Sequence, residues 1–374
     1  MKRQIQVQTD HLETTLMNDK SNEVDIGELI KAVWHGKLVV MLVTFLFALG
    51  GVVLALSTQE WWSTSAKITE AQPQNLVKYQ QQVKQFQPVF NVYQDDGTVL
   101  VSNELDNLVD SKLLFKSFVD TFNSSNNKRS FLNGNEKFHD LNKTLSLDDP
   151  EVTGDTARIL YSQWSDRITA LLSERTNRNS PYLVSFQSMT QESSFDLLLA
   201  YISATESNVH QDAFNNLQAV ISGKRNELIQ QKAILETQAK NQLLVETERA
   251  RYAMEIAKAA GVEAPIQVGS NGELFGIDLG AKGLKAKVQA LESVKNLSVI
   301  EPRLQQINAK LSMLSNLNID RSVKFQMFRY LENAEQPTTR DKPKRALIVV
   351  MATLFGGMLG VAIVLIRFMF RKED

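Results

Sequence analysis

The residues that could do chemistry are few and scattered. Four histidines, His11, His35, His139 and His210, supply the imidazoles, and no two share a metal-ligand spacing. Cysteine is absent, so the chain has no thiolate nucleophile, no disulfide framework and no Cys-based zinc site. Asp95-Asp96 precede Gly97 and Asp148-Asp149 precede Pro150, contexts in which adjacent carboxylates serve as turn residues. Gly280-Ala-Lys-Gly283 lacks the length and the Lys-Ser/Thr ending of a phosphate-binding loop, and no Gly-x-Ser-x-Gly occurs. These patterns predict no catalytic residue, no cofactor and no metal. Two clusters remain. The basic run Arg340-Asp-Lys-Pro-Lys-Arg345 could hold a phosphate or a lipid headgroup, although its commoner role is an anchor at the edge of a bilayer. Ala352, Gly356 and Gly360 are spaced by four with Gly357 beside them, and Gly51 and Ala55 form a smaller set; small residues on one face let two membrane helices approach closely.

Both small-residue sets lie in long apolar runs. Leu38 to Leu56 is 19 residues without a charge, and Ala346 to Ile366 is 21. A hydrocarbon core of about 30 Å needs roughly 20 apolar residues at about 1.5 Å each, so both runs are long enough to span it. The polar lead before the first run and its length argue against a cleaved signal peptide. Lys31 and Lys37 precede the first run, whereas Glu60 and the Trp61-Trp62 pair follow it, which predicts a cytoplasmic N-terminus. Around the second run the charges conflict, with Arg340, Lys342, Lys344 and Arg345 before it and Arg367, Arg371 and Lys372 after it. The first helix usually sets orientation, and long loops translocate largely regardless of charge. Both termini are therefore expected in the cytoplasm and residues 57–345 outside it. The net charge of −1 gives no whole-chain field for nucleic acid.

Six segments follow. Residues 1–24 are a polar tail, expected to be disordered, and 25–37 form an amphipathic helix with Ile26, Leu29, Ile30 and Val33 on one face. The apolar runs, 38–56 and 346–366, bracket 57–345, and 367–374 form a short tail. Within 57–345, residues 57–193 and 318–345 are expected to build a base. Ser63–Ile68 reads as a strand, 72–97 as loop with a weak helix, and Leu105, Leu108, Phe115, Phe118 and Phe122 as one helix face. Residues 123–135 read as turn, 155–173 as a helix bearing Leu160, Trp164, Ile168 and Leu171, and Tyr182–Gln187 as a strand opened by Pro181. The alternation in residues 323–330 predicts a strand that pairs with Ser63–Ile68.

Residues 194–260 contain no proline and one glycine, Gly223, among strong helix formers. One unbroken helix of that length would run roughly 100 Å. Phe214, Leu217, Ile221, Leu228 and Leu235 follow a heptad, but Gln238, Gln242 and Arg249 then fall on its seam. The second half must be covered by neighbouring subunits or by a returning segment. A tip loop at 261–276 and return helices within 277–317 supply such a segment, with Leu284, Val288 and Leu291, then Leu304, Ile307, Leu311 and Leu314, on their apolar faces.

Several local sequences resemble one family. VDIGELIKAVWHGK precedes the first apolar run and EWWSTSAKITEAQP follows it; FRYLENAEQPTTRDKPKRALIVVMATLFGGMLGVAIVLIR fills 328–367. With the long helix and AAGVEAP, the chain resembles the Wzz-type O-antigen chain-length determinants, the class 1 polysaccharide co-polymerases, over residues 24–370. Across 72–180 it does so in element type only. Pro337, Pro343, Lys344 and Arg345 carry the most specific stretch. The resemblance implies an α+β membrane protein, with two transmembrane helices flanking a periplasmic α/β base and a very long projecting helix. It also implies a bacterial inner-membrane location and a ring-like homo-oligomer. The expected partners are a Wzy-type polymerase, undecaprenyl-linked polysaccharide and membrane lipids, with no nucleic acid. The implied role is non-catalytic control of lipopolysaccharide O-antigen length. The alternatives are length control of another Wzy-dependent polysaccharide, such as enterobacterial common antigen, or a capsule co-polymerase with a separate kinase. A periplasmic sensor would need a cytoplasmic output domain, for which 37 and 8 residues leave no room.

Overall fold

The computed structural model describes residues 26–94, 96–138, 154–174, 176–177, 180–266 and 275–373. The expected disordered tail, His11, His139, Asp95, Asp148-Asp149 and residues 267–274 of the tip loop lie outside them. The chain divides into two compact units, one made of residues 1–62 with 339–374 and the other of residues 63–338.

The first unit is helical. Helix α1 (Ile26–His35) leads through Gly36 into α2 (Lys37–Ser57), and α11 (Arg345–Glu373) closes the chain. Lys37–Ser57 and Arg345–Phe370 are long and apolar enough to cross a membrane. Only 11% and 17% of their most apolar stretches are buried, so neither is the core helix of a soluble domain.

The second unit is built on a four-stranded sheet in the order β4-β5-β1-β6. Its strands are β1 (Trp62–Glu70), β4 (Ile168–Leu172), β5 (Tyr182–Ser188) and β6 (Phe328–Glu332). Strands β1 and β6 pair antiparallel, with Ile68 opposite Tyr330 and Glu70 opposite Phe328. The alternation read across 323–330 thus becomes a strand only from Phe328. Before it, Phe325 and Met327 are buried in irregular chain, and Phe325 stacks on Tyr79 at 4.2 Å. Ile68, Phe186 and Phe328 form the inner face of the sheet. Helix α5 (Ser111–Asn123) adds Phe118 and Phe122 to this core; the phenyl ring of Phe118 lies 4.5 Å from that of Phe328. Leu105 and Leu108 precede α5, flanking and ending a short 3-10 turn.

Three expectations are corrected here. The Gln-rich stretch 72–97 contains a well-packed helix, α3 (Pro73–Lys84), and a one-turn α4 (Gln87–Phe90). None of its glutamines is buried, while Leu76, Tyr79 and Val83 are fully buried. A small hairpin, β2 (Val92–Tyr93) with β3 (Val99–Leu100), follows. The Asn/Ser-rich stretch 123–135 is helix α6 (Ser125–Gly134), not turn. Ser124 caps it, and Asn127 is buried, donating to the Tyr201 hydroxyl at 3.1 Å and the Thr205 hydroxyl at 3.0 Å. Helix α7 (Gly154–Ser165) stops before Ile168, and 168–172 is strand β4, whose partner β5 pairs Ile168 with Phe186.

Helix α8 (Gln191–Ala259) is one element of 69 residues, about 104 Å long at the usual rise. A Thr190/Ser193 capping box starts it. Gly261, at φ 71°, ends it in a left-handed turn: Val262 N–H donates to Ala257 O at 2.9 Å and Gly261 N–H to Lys258 O at 3.2 Å. Near its start Tyr201 is fully buried, its hydroxyl donating to Phe122 O at 2.7 Å, and burial pushes the phenol's pKa upward. The buried stripe then departs from the heptad. It passes through Leu217, Leu228, Ala239 and Ala250 in steps of eleven, while Gln238, Gln242 and Arg249 face solvent. Ala253 and Ala257 meet Ala281 and Leu284 of α9 (Gly280–Glu292), so small side chains let the return helix pack closely. The next helix, α10 (Arg303–Asn316), buries Leu304, Ile307 and Leu314.

Candidate functional site

The first unit holds the small residues and the whole basic cluster. Helices α2 and α11 run antiparallel, and their glycines mark where the backbones meet. A methyl group on Gly51 would lie 2.6 Å from the Ala352 Cβ. One on Gly356 would lie 2.6 Å from the Phe47 Cβ, and one on Gly360 3.0 Å from the Val40 Cα. Gly51, Ala55, Gly356 and Gly360 are buried, whereas Gly357 is half-buried and approaches only the Thr44 hydroxyl, 3.7 Å from a methyl placed there. Real Cβ atoms do not tolerate contacts of 2.6 Å, so a side chain at Gly51 or Gly356 must push the helices apart, and at Gly360, where the contact is on Val40 backbone, the neighbour must give way. The Thr44 and Thr353 hydroxyls donate to Val40 O and Val349 O, both at 2.7 Å, leaving no unsatisfied polar group along the pair from these side chains.

At one end of the pair the charges are organised. Glu60 accepts from Arg340 at 2.9 Å and from Arg345, and Arg345 Nε donates to Ala55 O at 3.1 Å. Trp61 bridges Lys342, its N–H donating to Lys342 O at 3.0 Å. Pro343 is buried between these contacts, while Lys344 is exposed and Pro337 half-buried. The Arg340–Arg345 run is thus divided: two arginines close a clasp over Glu60, and Lys344 remains free to face a headgroup. Glu60, whose sequence signal is only a negative charge beside the apolar run, is the centre of this clasp.

The second unit contains a cleft of about 880 Å³ between α3, α8 and residues 321–326. His210 lies in it. Its Nε2 accepts the Phe325 N–H at 3.2 Å, so its Nδ1 carries the proton and donates to Glu206 O at 3.2 Å. Burial lowers its pKa, and Lys324 adds to that; burial raises the pKa of Glu206. With both ring nitrogens engaged by backbone, His210 has no lone pair for a substrate. His35 is likewise turned to backbone, 2.9 Å from Lys31 O. Among the described residues no group of three His, Asp or Glu side chains could hold a metal ion. Gly280, one of the glycines dismissed as a phosphate loop, has φ 66°, and a methyl there would lie 2.6 Å from Ala264 O. It serves the packing of the tip.

Comparison with known proteins agrees with this architecture. The family profile "Chain length determinant protein" (Wzz) matches residues 22–113, and "G-rich domain on putative tyrosine kinase" (GNVR) matches 303–369. The chain is 26% identical to the ferric enterobactin transport protein FepE of Escherichia coli K12, over 96% of this chain and 93% of that one. It is 24% identical to the chain length determinant protein of the same strain, over 94% of each. A solved full-length bacterial polysaccharide co-polymerase superposes with a TM-score of 0.60 at 21% identity, covering 94% of this chain and 99% of that one. The fold is therefore that of the polysaccharide co-polymerases, an α+β protein with an apolar helix toward each end and a very long central helix. Within that class the chain is similar to the Wzz-type chain length determinants, whose profile matches its residues 22–113.

Proposed function

We propose that this protein is a non-catalytic regulator of lipopolysaccharide O-antigen chain length in the bacterial inner membrane. The observation that carries the reading is the Wzz profile match over 22–113 within a chain that follows the co-polymerase fold over 94% of its length. In this reading α2 and α11 cross the membrane, both termini are cytoplasmic and residues 57–345 are periplasmic. The protein assembles as a ring-like homo-oligomer and works beside a Wzy-type polymerase on undecaprenyl-linked polysaccharide. The Gly51, Ala55, Ala352, Gly356, Gly357 and Gly360 faces hold the two membrane helices together. Pro337, Pro343, Lys344 and Arg345 form the approach to the second crossing.

Lateral assembly is supported by the long helix. Ile234, Val245, Tyr252 and Ile256 are exposed and fall within a narrow arc of α8, away from its buried stripe. Such a row of apolar side chains on a periplasmic helix is suited to a neighbouring subunit. Length control of enterobacterial common antigen is the alternative of the same class. A strain deleted for this chain is predicted to lose the clustered band of its lipopolysaccharide ladder and to regain it on re-expression. An unchanged ladder overturns the reading. If common antigen changes instead, the alternative holds; if only ferric enterobactin uptake changes, neither does.

A further inference from the structure

Helix α1 builds a feature that chain-length control does not use. Leu29, Ile30, Val33 and Trp34 line a small apolar groove of about 260 Å³ with Leu365 of α11. Gly36 holds α1 against α11, because a methyl there would lie 2.5 Å from a Val364 methyl. Trp34 is 72% exposed. The Lys37 ammonium sits over its indole, 5.7 Å from the ring centroid, and no acidic side chain among the described residues pairs with it. The exposed surface runs on into Leu38, Met41, Leu42 and Phe45 of α2 and Ile366 and Met369 of α11.

We propose that this groove binds one anionic glycerophospholipid. An acyl chain lies against Leu29, Val33 and Leu365, and the phosphate meets Lys37 beside Trp34. A lipid is the fitting occupant because the groove opens onto the apolar faces of the two membrane-length helices, where lipid is the solvent. An exposed Trp beside a Lys at the end of such a run is the pattern of the headgroup level. Charge selects the headgroup. An unpaired Lys attracts a net-negative lipid, whereas a zwitterionic one brings its own cation to compete. The inference rests on the membrane reading of α2 and α11, not on the chain-length reading.

Fluorescence quenching of Trp34 in the full chain tests it. The protein is placed in vesicles containing brominated phosphatidylglycerol or brominated phosphatidylcholine, and the Trp34→Phe variant subtracts the other tryptophans. Trp34 is predicted to prefer phosphatidylglycerol by about fivefold, as one lysine at a membrane surface provides. Lys37→Gln should abolish the preference and keep the phosphatidylcholine signal, while Lys37→Arg should keep both. Equal quenching by the two lipids would overturn the proposal, leaving only unselective contact. No quenching by either would overturn it together with the membrane reading. Displacement by a polyprenyl phosphate at far lower concentration would overturn it in favour of an isoprenoid site.

Discussion

Two single residues have the clearest consequences. Glu60 joins Arg340 and Arg345, all about two-thirds buried. A double-mutant cycle on Glu60 and Arg345 in detergent should return a coupling of about 1 kcal/mol, since partly exposed pairs are screened. A coupling near zero would mean that the clasp is only a surface pair. His210 gives the pH dependence. The folded protein holds its imidazole neutral because protonating Nε2 would expel the Phe325 N–H. Its folded pKa is depressed, so below about 6.5 the unfolded chain binds the proton that the folded chain refuses. Stability from this group is complete above that pH and falls with acidification. Glu206 acts in the opposite sense, because its raised pKa lets the folded state take up a proton first. The His210 part is isolated by comparison: His210→Gln should flatten the loss of thermal stability between about pH 6.5 and 5. An identical pH profile would remove His210 from the account.

At the scale of elements, glycine decides two interfaces. Gly280→Ala combines a left-handed backbone with a 2.6 Å clash on Ala264 O, and should cost about 1–3 kcal/mol, read as loss of hydrogen-exchange protection around Val262 and Ala281. Gly356→Leu with Gly360→Leu should separate α2 from α11 and impair assembly or length control, whereas Gly357→Leu, with only Thr44 near it, should be far milder. Equal tolerance of all three would show that the helix pair is not held by this face. Which elements the sequence revealed follows from what their residues do alone. The apolar runs and the long helix are declared by composition. The helix at 73–84 was obscured because its polar positions are mostly glutamines, and only Leu76, Tyr79 and Val83 carry its packing. Ile168 and Leu171 fit a helical period, yet strand β5 claims them, a tertiary pairing that local spacing cannot contain. The heptad on α8 ends where the sequence breaks it, because a nearly straight helix drifts away from a seven-residue repeat; the small Ala239, Ala250 and Ala257 that continue the stripe do not read as core. At the candidate site, the small faces were legible. Their counterparts were not, because Val40, Thr44 and Phe47 are ordinary residues made important only by an antiparallel neighbour.

For the whole molecule, the physical picture is a scaffold. His210 is saturated by backbone, the arginines at 340 and 345 close on Glu60, and the long helix spends its length on packing and on an exposed apolar row. Control of polymer length by such a protein would come from placing other molecules rather than from bond chemistry. A protein of this kind should confer length control in a foreign setting. The most direct measurement is expression of this chain in a host that makes O-antigen through a Wzy polymerase but lacks its own length regulator, with lipopolysaccharide resolved on a gel. The account predicts that an unregulated ladder collapses into a clustered band of defined length, and that the Gly356→Leu/Gly360→Leu variant fails to produce it. A ladder that stays unregulated despite full expression of the protein in the membrane would contradict it.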